Sequence, residues 1–139
     1  MNNDLEEDKI LLLIENKIYI HFSNNILHIE LFEDSLRDCD NTKMHKVLDN
    51  FYNNCKKKNI SFYLLYNFSQ LSITSSTNLI YNISIYQEHF NKHIHFLRSN
   101  IKCLYIIIEN YTLRETFDTI LNLYKPELKP IIIQNISEI

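Results

Sequence analysis

The N-terminal part of the chain alternates between apolar and polar positions with the period of half-buried strands. Residues 10–14 are apolar, and residues 18–22 and 26–32 place apolar side chains at every second position. Asn24-Asn25 separates the last two segments, and asparagine tolerates the positive φ angles of a two-residue hairpin turn. The pattern predicts an antiparallel hairpin, which a strand over residues 10–14 would extend into a three-stranded meander.

Three later segments are almost wholly apolar. They span residues 60–68, 103–108 and 131–133. Strands that are buried on both faces have this composition, and they occur mainly in parallel sheets covered by helices. We take the stretch that begins at Ile60 as the central strand and the other two segments as further strands of the same sheet.

Apolar side chains at intervals of three and four predict helices between these strands. The first helix is expected to begin at a cap within residues 40–42. It should end at Asn59, because asparagine suits the positive φ angle of a helix C-terminus. The second covers residues 76–97, either as one long helix or as two helices joined near Gln87.

Two apolar side chains, Ile85 and Phe96, fall outside the stripe of that second helix. They are expected to be ordinary exposed surface residues, with self-association or partner binding as the alternative. A third helix is predicted to open with the capping box formed by Thr112 and Glu115 and to end at Pro126.

The order of these elements predicts the fold class. Strand–helix–strand units recur along the chain from the strand at residues 26–32 onward, and such crossovers are nearly always right-handed. We therefore expect a single α/β domain over residues 1–139, with a mixed β-sheet, a parallel βαβαβ part flanked by helices, and an N-terminal antiparallel hairpin. The acidic residues 1–8 are predicted to be frayed.

The chain contains no glycine, which removes whole classes of function. Phosphate-binding loops and dinucleotide fingerprints need glycines for close backbone approach, so P-loop and Rossmann nucleotide binding are excluded. Turns that need a positive φ must then use asparagine. The abundance of Asn, Ile and Lys is typical of coding in an AT-rich genome, as in some bacteria, parasites and large DNA viruses.

Charge and cysteine content reduce further the classes of function that this chain can have. The net charge is -3 and the one basic run is Lys56-Lys57-Lys58, which predicts no nucleic-acid partner. The three cysteines are widely spaced and form neither a disulfide framework nor a zinc knuckle. The chain shows neither a signal peptide nor an apolar run long enough for a membrane span, so we expect a soluble intracellular protein.

The segment after the central strand, Asn67 to Leu79 (NFSQLSITSSTNL), carries a resemblance to a known family. It resembles the signature of STAS domains, the anti-sigma-factor antagonist fold, which is usually D-L-S-x-V-x-F-I-D-S-S-G-L, and the two align without a gap. Asn67 and Ser75 stand where the family has aspartate, and Asn78 stands where it has glycine. With the flanking elements, the resemblance covers about residues 17 to 136.

The resemblance implies a function for this segment. In STAS domains the serine aligned with Ser76 is the phosphorylated switch residue, and the loop and helix around it contact a partner kinase or anti-sigma factor. Capping of the following helix is the alternative role of Ser76. STAS domains usually add a helix after the last strand, and its absence before Ile139 predicts a bare sheet face that favours a partner.

We therefore predict a non-enzymatic protein–protein interaction or regulatory module of STAS-like type, which binds a protein partner or forms a homo-oligomer. The alternatives are a carrier of a small apolar ligand or lipid and a structural subunit of a larger assembly. The predicted contact and phospho-switch residues are Ser69, Ser72, Thr74, Ser75, Ser76, Thr77 and Asn78.

No catalytic residue, cofactor or metal is predicted. His89 and His93 are four residues apart and share a helix face, but His95 lies on another face, and Glu88 does not complete an H-E-x-x-H pattern. Because no third ligand is evident, we interpret these histidines as a solvated polar surface.

Overall fold

The computed structural model describes residues 9–32, 38–70, 85–124 and 128–139. The strands are β1 (Lys9–Ile14), β2 (Ile18–Ser23), β3 (Ile26–Leu31), β4 (Phe62–Asn67), β5 (Ile101–Ile107) and β6 (Ile131–Ile133). The helices of these ranges are α1 (Asp38–Lys58), α2 (residues 85–92), α3 (Ile94–Asn100) and α4 (Tyr111–Tyr124). A 3₁₀ turn, Ile136–Glu138, follows the last strand.

The six strands form one mixed sheet in the order in which they occur in the chain, β1-β2-β3-β4-β5-β6. β1, β2 and β3 pair antiparallel, whereas β3, β4, β5 and β6 pair parallel. The predicted α/β class, the N-terminal antiparallel hairpin and the parallel βαβαβ part are confirmed, and β1 extends the hairpin into the three-stranded meander.

This order places the crossover helices on one side of the sheet. Each parallel crossover from β3 to β6 steps in the same direction, and right-handed crossovers that step the same way put their helices on the same face. The main core agrees with this geometry, because one buried cluster joins Leu27 and Leu64 of the strands to Leu48, Leu97 and Phe117 of α1, α3 and α4.

The other face of the sheet, which we call the helix-free face, receives no core residue from any described helix. A smaller buried cluster on this face consists of strand residues, with Leu65, Ile107 and Ile133 at its centre and Ile26 and Tyr105 beside them. The fully apolar composition of β4 predicts helices over both of its faces, but the described helices pack on one face.

The turns use asparagine where many proteins use glycine, as predicted. Every positive φ angle in the described residues falls on an asparagine: Asn16, Asn24, Asn25 and Asn59. Asn24 and Asn25 make the two-residue hairpin turn between β2 and β3, since Ser23 pairs with Ile26.

Asn59 ends α1 in a Schellman motif, which confirms the predicted helix end. Its N–H donates to Lys56 O at 3.3 Å, and the N–H of Ile60 donates to Cys55 O at 3.0 Å. These two bonds satisfy carbonyl groups that the last helical turn would otherwise leave unpaired. They also fix the direction in which the chain leaves α1 towards β4.

The start of α1 was predicted wrongly. The helix begins at Asp38, so residues 40–42 lie inside it rather than at its cap. Asp40 is buried, and Lys17 Nζ lies 3.3 Å from its Oδ2. A carboxylate in the first turn of a helix is stabilised by the helix dipole. Asp40 is therefore favourable within the first turn of α1, even though it does not cap the helix.

The described part of the second helical region, residues 85–100, consists of two helices, and their joint lies at His93 rather than near Gln87. The break changes the phase of the apolar stripe, and Phe96 therefore packs against the core, with its ring centroid 5.8 Å from that of Tyr52. The predicted surface position of Phe96 is wrong. The predicted start of the region at Ser76 lies outside the described residues.

The predicted capping box of the last helix is also wrong. α4 begins at Tyr111, and Asn110 caps it, because Asn110 Oδ1 accepts a hydrogen bond from the N–H of Leu113 at 2.9 Å. Thr112 lies within the helix, where its carbonyl accepts from Thr116 Oγ1. The predicted end at Pro126 lies outside the described residues.

Candidate functional site

Of the predicted contact residues, Ser69 lies within the described residues, two positions after the end of β4. The other six, Ser72, Thr74, Ser75, Ser76, Thr77 and Asn78, lie outside them. Ser69 is held by Asn67, the last residue of β4: Asn67 Oδ1 accepts from Ser69 N at 3.0 Å and from Ser69 Oγ at 2.7 Å. The first turn of the predicted contact segment is therefore fixed to the end of β4.

Asn67 also reaches the neighbouring strand β3. Its Nδ2 lies 3.2 Å from Nε2 of His28. The backbone N–H of Ser69 can only donate, so the amide atom that faces it is Oδ1, and Nδ2 is left to donate to His28. His28 Nε2 is therefore the acceptor, and the ring carries its proton on Nδ1. Burial, followed by the nearby His21, lowers the pKa of His28 to about 4, which keeps the ring neutral near pH 7.

A second group of polar side chains joins α1 to the junction of α2 and α3. Asp49 Oδ1 lies 2.8 Å from His89 Nε2 and 2.5 Å from His93 Nε2. We call these three residues the Asp-His-His cluster. Within the described residues their ligand-type atoms, one from each side chain, all lie within 4.8 Å of one another.

The rings of this cluster are packed on several sides. His45, one helical turn before Asp49, stacks on His89 with a centroid separation of 4.2 Å and an interplanar angle of 10°. The buried Tyr52 packs against His93 at 5.1 Å and against His89 at 6.5 Å. His89 is buried, whereas Asp49 keeps 28% of its side chain exposed.

Electrostatics around the cluster favour a charged Asp49 carboxylate and the neutral forms of His89 and His45. Partial burial opposes ionisation of Asp49, but hydrogen bonds from His93, His89 and Lys92 outweigh it and lower the pKa to about 2. Burial lowers the pKa of His89, although the Asp49 carboxylate acts in the opposite direction. Burial and the charge of His89 lower the pKa of His45 to about 4, against the opposing effect of Asp49.

The interpretation of His89 and His93 as a solvated polar surface is wrong. Both rings turn towards Asp49, while His95 is exposed on α3 and takes no part in this cluster. Sequence reasoning found the pair of histidines but missed Asp49, which lies 40 residues before His89. The available signal was that His45 and Asp49 are also four residues apart, so α1 carries a matching polar pair.

No protein-family model, curated protein or solved structure matches this chain. The resemblance to STAS domains therefore remains a prediction from the residues of one segment, without support from these comparisons. In the described residues, no helix combines the length and the apolar character that crossing a membrane requires.

Proposed function

We propose that this chain is a non-enzymatic protein-interaction module of STAS-like type. The observation that supports this proposal best is the helix-free face of the sheet. Its apolar and aromatic side chains extend from one edge strand to the other, and several are well exposed: Leu13 by 63%, Ile10 by 59% and Ile131 by 49%. Exposed apolar side chains that continue across a surface are typical of interaction sites.

The composition of this face favours a second apolar sheet as its partner. Strand alternation and the pairing register place Tyr19, Ile26, Tyr63, Tyr105 and Ile131 on it. In the described strands Glu30 is its one carboxylate, and Lys102 is the one basic residue whose ammonium reaches it, with Nζ 5.4 Å from the centre of the Tyr63 ring. Two such faces would meet with little charge to desolvate.

We therefore propose a second copy of this chain as the occupant, packed sheet against sheet. Strands about 4.8 Å apart and about 20 Å long give a face of roughly 500 Å² per chain. Specific interfaces of standard size bury about 800 Å² per partner, so the dimer is expected to be weak and concentration-dependent.

Ser69, the first residue of the predicted contact segment, is hydrogen-bonded to a residue of this same face. Asn67 and His28 belong to the helix-free face, and Ser69 is bound to Asn67. A partner on the face would therefore meet the start of the segment that contains Ser72, Thr74, Ser75, Ser76, Thr77 and Asn78. We propose that phosphorylation of Ser76 regulates the interaction, because a phosphate adds negative charge to the predicted contact segment.

Sedimentation velocity over a range of concentrations tests this function. We expect a reversible monomer–dimer equilibrium that Leu13→Lys and Tyr105→Arg each weaken. Tyr111→Arg is the matched control, because Tyr111 is 66% exposed at the start of α4, away from the helix-free face, and should leave the equilibrium unchanged. A chain that stays monomeric at every concentration would overturn the proposal of a second copy.

Native mass spectrometry of the same sample separates the alternative function. A dimer mass without added ligand supports the interaction module. A monomer with a co-purified apolar molecule would instead support the ligand carrier and would count against the proposed dimer.

A further inference from the structure

The Asp-His-His cluster brings three metal-ligating side chains together from two separate parts of the chain. Asp49 projects from α1, His89 from α2, and His93 stands at the turn between α2 and α3. Both histidines face the same carboxylate oxygen through Nε2, at 2.8 Å and 2.5 Å. Three potential ligand atoms therefore converge on one small volume.

The ligand types indicate which ions would be bound. Two imidazole nitrogens and one carboxylate oxygen suit zinc and neighbouring first-row transition metals. Magnesium and calcium prefer ligand sets made of oxygen, so the two nitrogens disfavour them. Zinc is the natural occupant among these ions, because three protein ligands with an open fourth position form a common zinc arrangement.

The two distances to the carboxylate oxygen require little movement to accept the ion. Zinc–nitrogen bonds of about 2.0–2.1 Å in a tetrahedral site separate neighbouring ligand atoms by about 3.3 Å. The Asp49–His89 and Asp49–His93 separations would each have to widen by less than about 1 Å. On binding, the zinc ion takes the place of the two protons at Nε2, and each ring then carries its one remaining proton on Nδ1, which is the tautomer that offers an Nε2 lone pair to the metal.

The surroundings fit an ion at this position. Lys92 contacts Oδ2 of Asp49 at 3.3 Å and so leaves Oδ1 for the metal. The exposed part of Asp49 gives access to a water molecule as the fourth ligand. The stacked ring of His45 holds the plane of His89, and rings that are held in place before binding lose less conformational entropy when the ion arrives.

We propose that Asp49, His89 and His93 bind one divalent zinc ion, with water as the fourth ligand. The ion would clamp α1 to the junction of α2 and α3, two elements that adjoin in space but lie far apart in the chain. This site is independent of the helix-free face, since all three residues belong to the helical side of the molecule.

Zinc titration of the full chain, first stripped of metal with a chelator, tests the site. Competition with a chromophoric chelator should give one bound ion per chain, and zinc should raise the melting temperature by about 5–10 °C when it is well above its dissociation constant. Bound Co²⁺ should show the visible absorption of a four-coordinate site.

Two shape-conserving variants, Asp49→Asn and His93→Gln, provide the decisive comparison. Loss of a group that merely supports a ligand costs about 10–100-fold in affinity, so loss of a ligand should cost at least about 100-fold. The matched control is His95→Ala, which removes the neighbouring exposed histidine and should leave affinity and stoichiometry unchanged. Circular dichroism without metal verifies that each variant is folded.

Three results would overturn the proposal. One is equal zinc affinity in the wild-type chain and in folded Asp49→Asn. Another is loss of binding in His95→Ala, which would place the ion elsewhere. The third is the absence of zinc binding. If neither the wild-type chain nor any variant binds zinc, the cluster is a hydrogen-bonded link between helices and nothing more.

Discussion

The ring of His28 accepts a hydrogen bond from the side-chain amide of Asn67 across two neighbouring parallel strands, with 3.2 Å between Nε2 and Nδ2. This bond requires a neutral imidazole, because a protonated ring has a donor at both nitrogens. Protonation would place an N–H of His28 opposite the N–H of the Asn67 side chain, so the hydrogen bond between them would be lost. The same Asn67 side chain also holds Ser69. The first turn of the proposed contact segment therefore depends on the protonation state of His28.

His28 makes the stability of the fold depend on pH. Its pKa is about 4 in the folded chain, against an ordinary value of 6.5, so between these values the unfolded chain binds more protons. The free energy of unfolding should therefore fall as the pH falls through this window and stay level above it. Urea unfolding at several pH values should show a smaller fall in His28→Gln than in the wild-type chain. Equal falls in the two proteins would exclude this role of His28.

Lys17 should stabilise the start of α1 through its contact with Asp40. Lys17→Met removes the cation 3.3 Å from a side chain that is 1% exposed, and we expect a loss of about 1–3 kcal/mol in the free energy of unfolding. The double variant Lys17→Met/Asp40→Asn should recover part of this loss, because the buried charge is then absent. A double-mutant cycle measured by urea unfolding gives the coupling, and a coupling of zero would contradict the prediction.

The side chain of Asn110 should contribute more to the free energy of unfolding than the side chain of Thr112. Its side chain caps the helix through the N–H of Leu113, so Asn110→Ala should cost about 1 kcal/mol of the free energy of unfolding. Thr112→Ala is the matched control and should change stability by less than about 0.5 kcal/mol. The reverse ranking in thermal or urea unfolding would restore Thr112 as the cap.

The effect of substituting Asn59 on stability should depend on how well the new residue tolerates a positive φ angle. With φ at 52°, Asn59→Gly should keep or slightly raise stability, whereas Asn59→Ala should lower it by about 1 kcal/mol. Asn54→Ala, at an exposed position inside α1, should be neutral or slightly stabilising, because alanine has the higher helix propensity. Calorimetry of the three variants checks the ranking.

Local patterns in the sequence were enough for most of the strands and for the turns. The alternation over residues 18–32 and the apolar runs at residues 60–68 and 103–108 predicted β2 to β5, because the period of a pattern depends on near neighbours in the chain. Asn24, Asn25 and Asn59 were predictable for the same reason, since in a chain without glycine a positive φ must fall on asparagine.

Features that depend on distant residues could not be predicted in this way. Asp49 meets His89 across 40 residues, and no local pattern gives the relative rotation of α1 and α2. The first turn of α1 holds Asp40, which contacts Lys17, another partner that is remote in the chain. At His93 the helix breaks without a proline or a glycine, so composition gave no signal for the joint.

The strand order of this sheet also bears on how the chain folds. Each strand lies beside the strand that precedes it, so closing any pair costs the entropy of the single connection between them. Topologies with short sequence separations between contacting residues fold faster than those that join remote segments. The sheet can therefore grow one strand at a time from the β1–β2–β3 meander, in the same direction in which a ribosome delivers the chain.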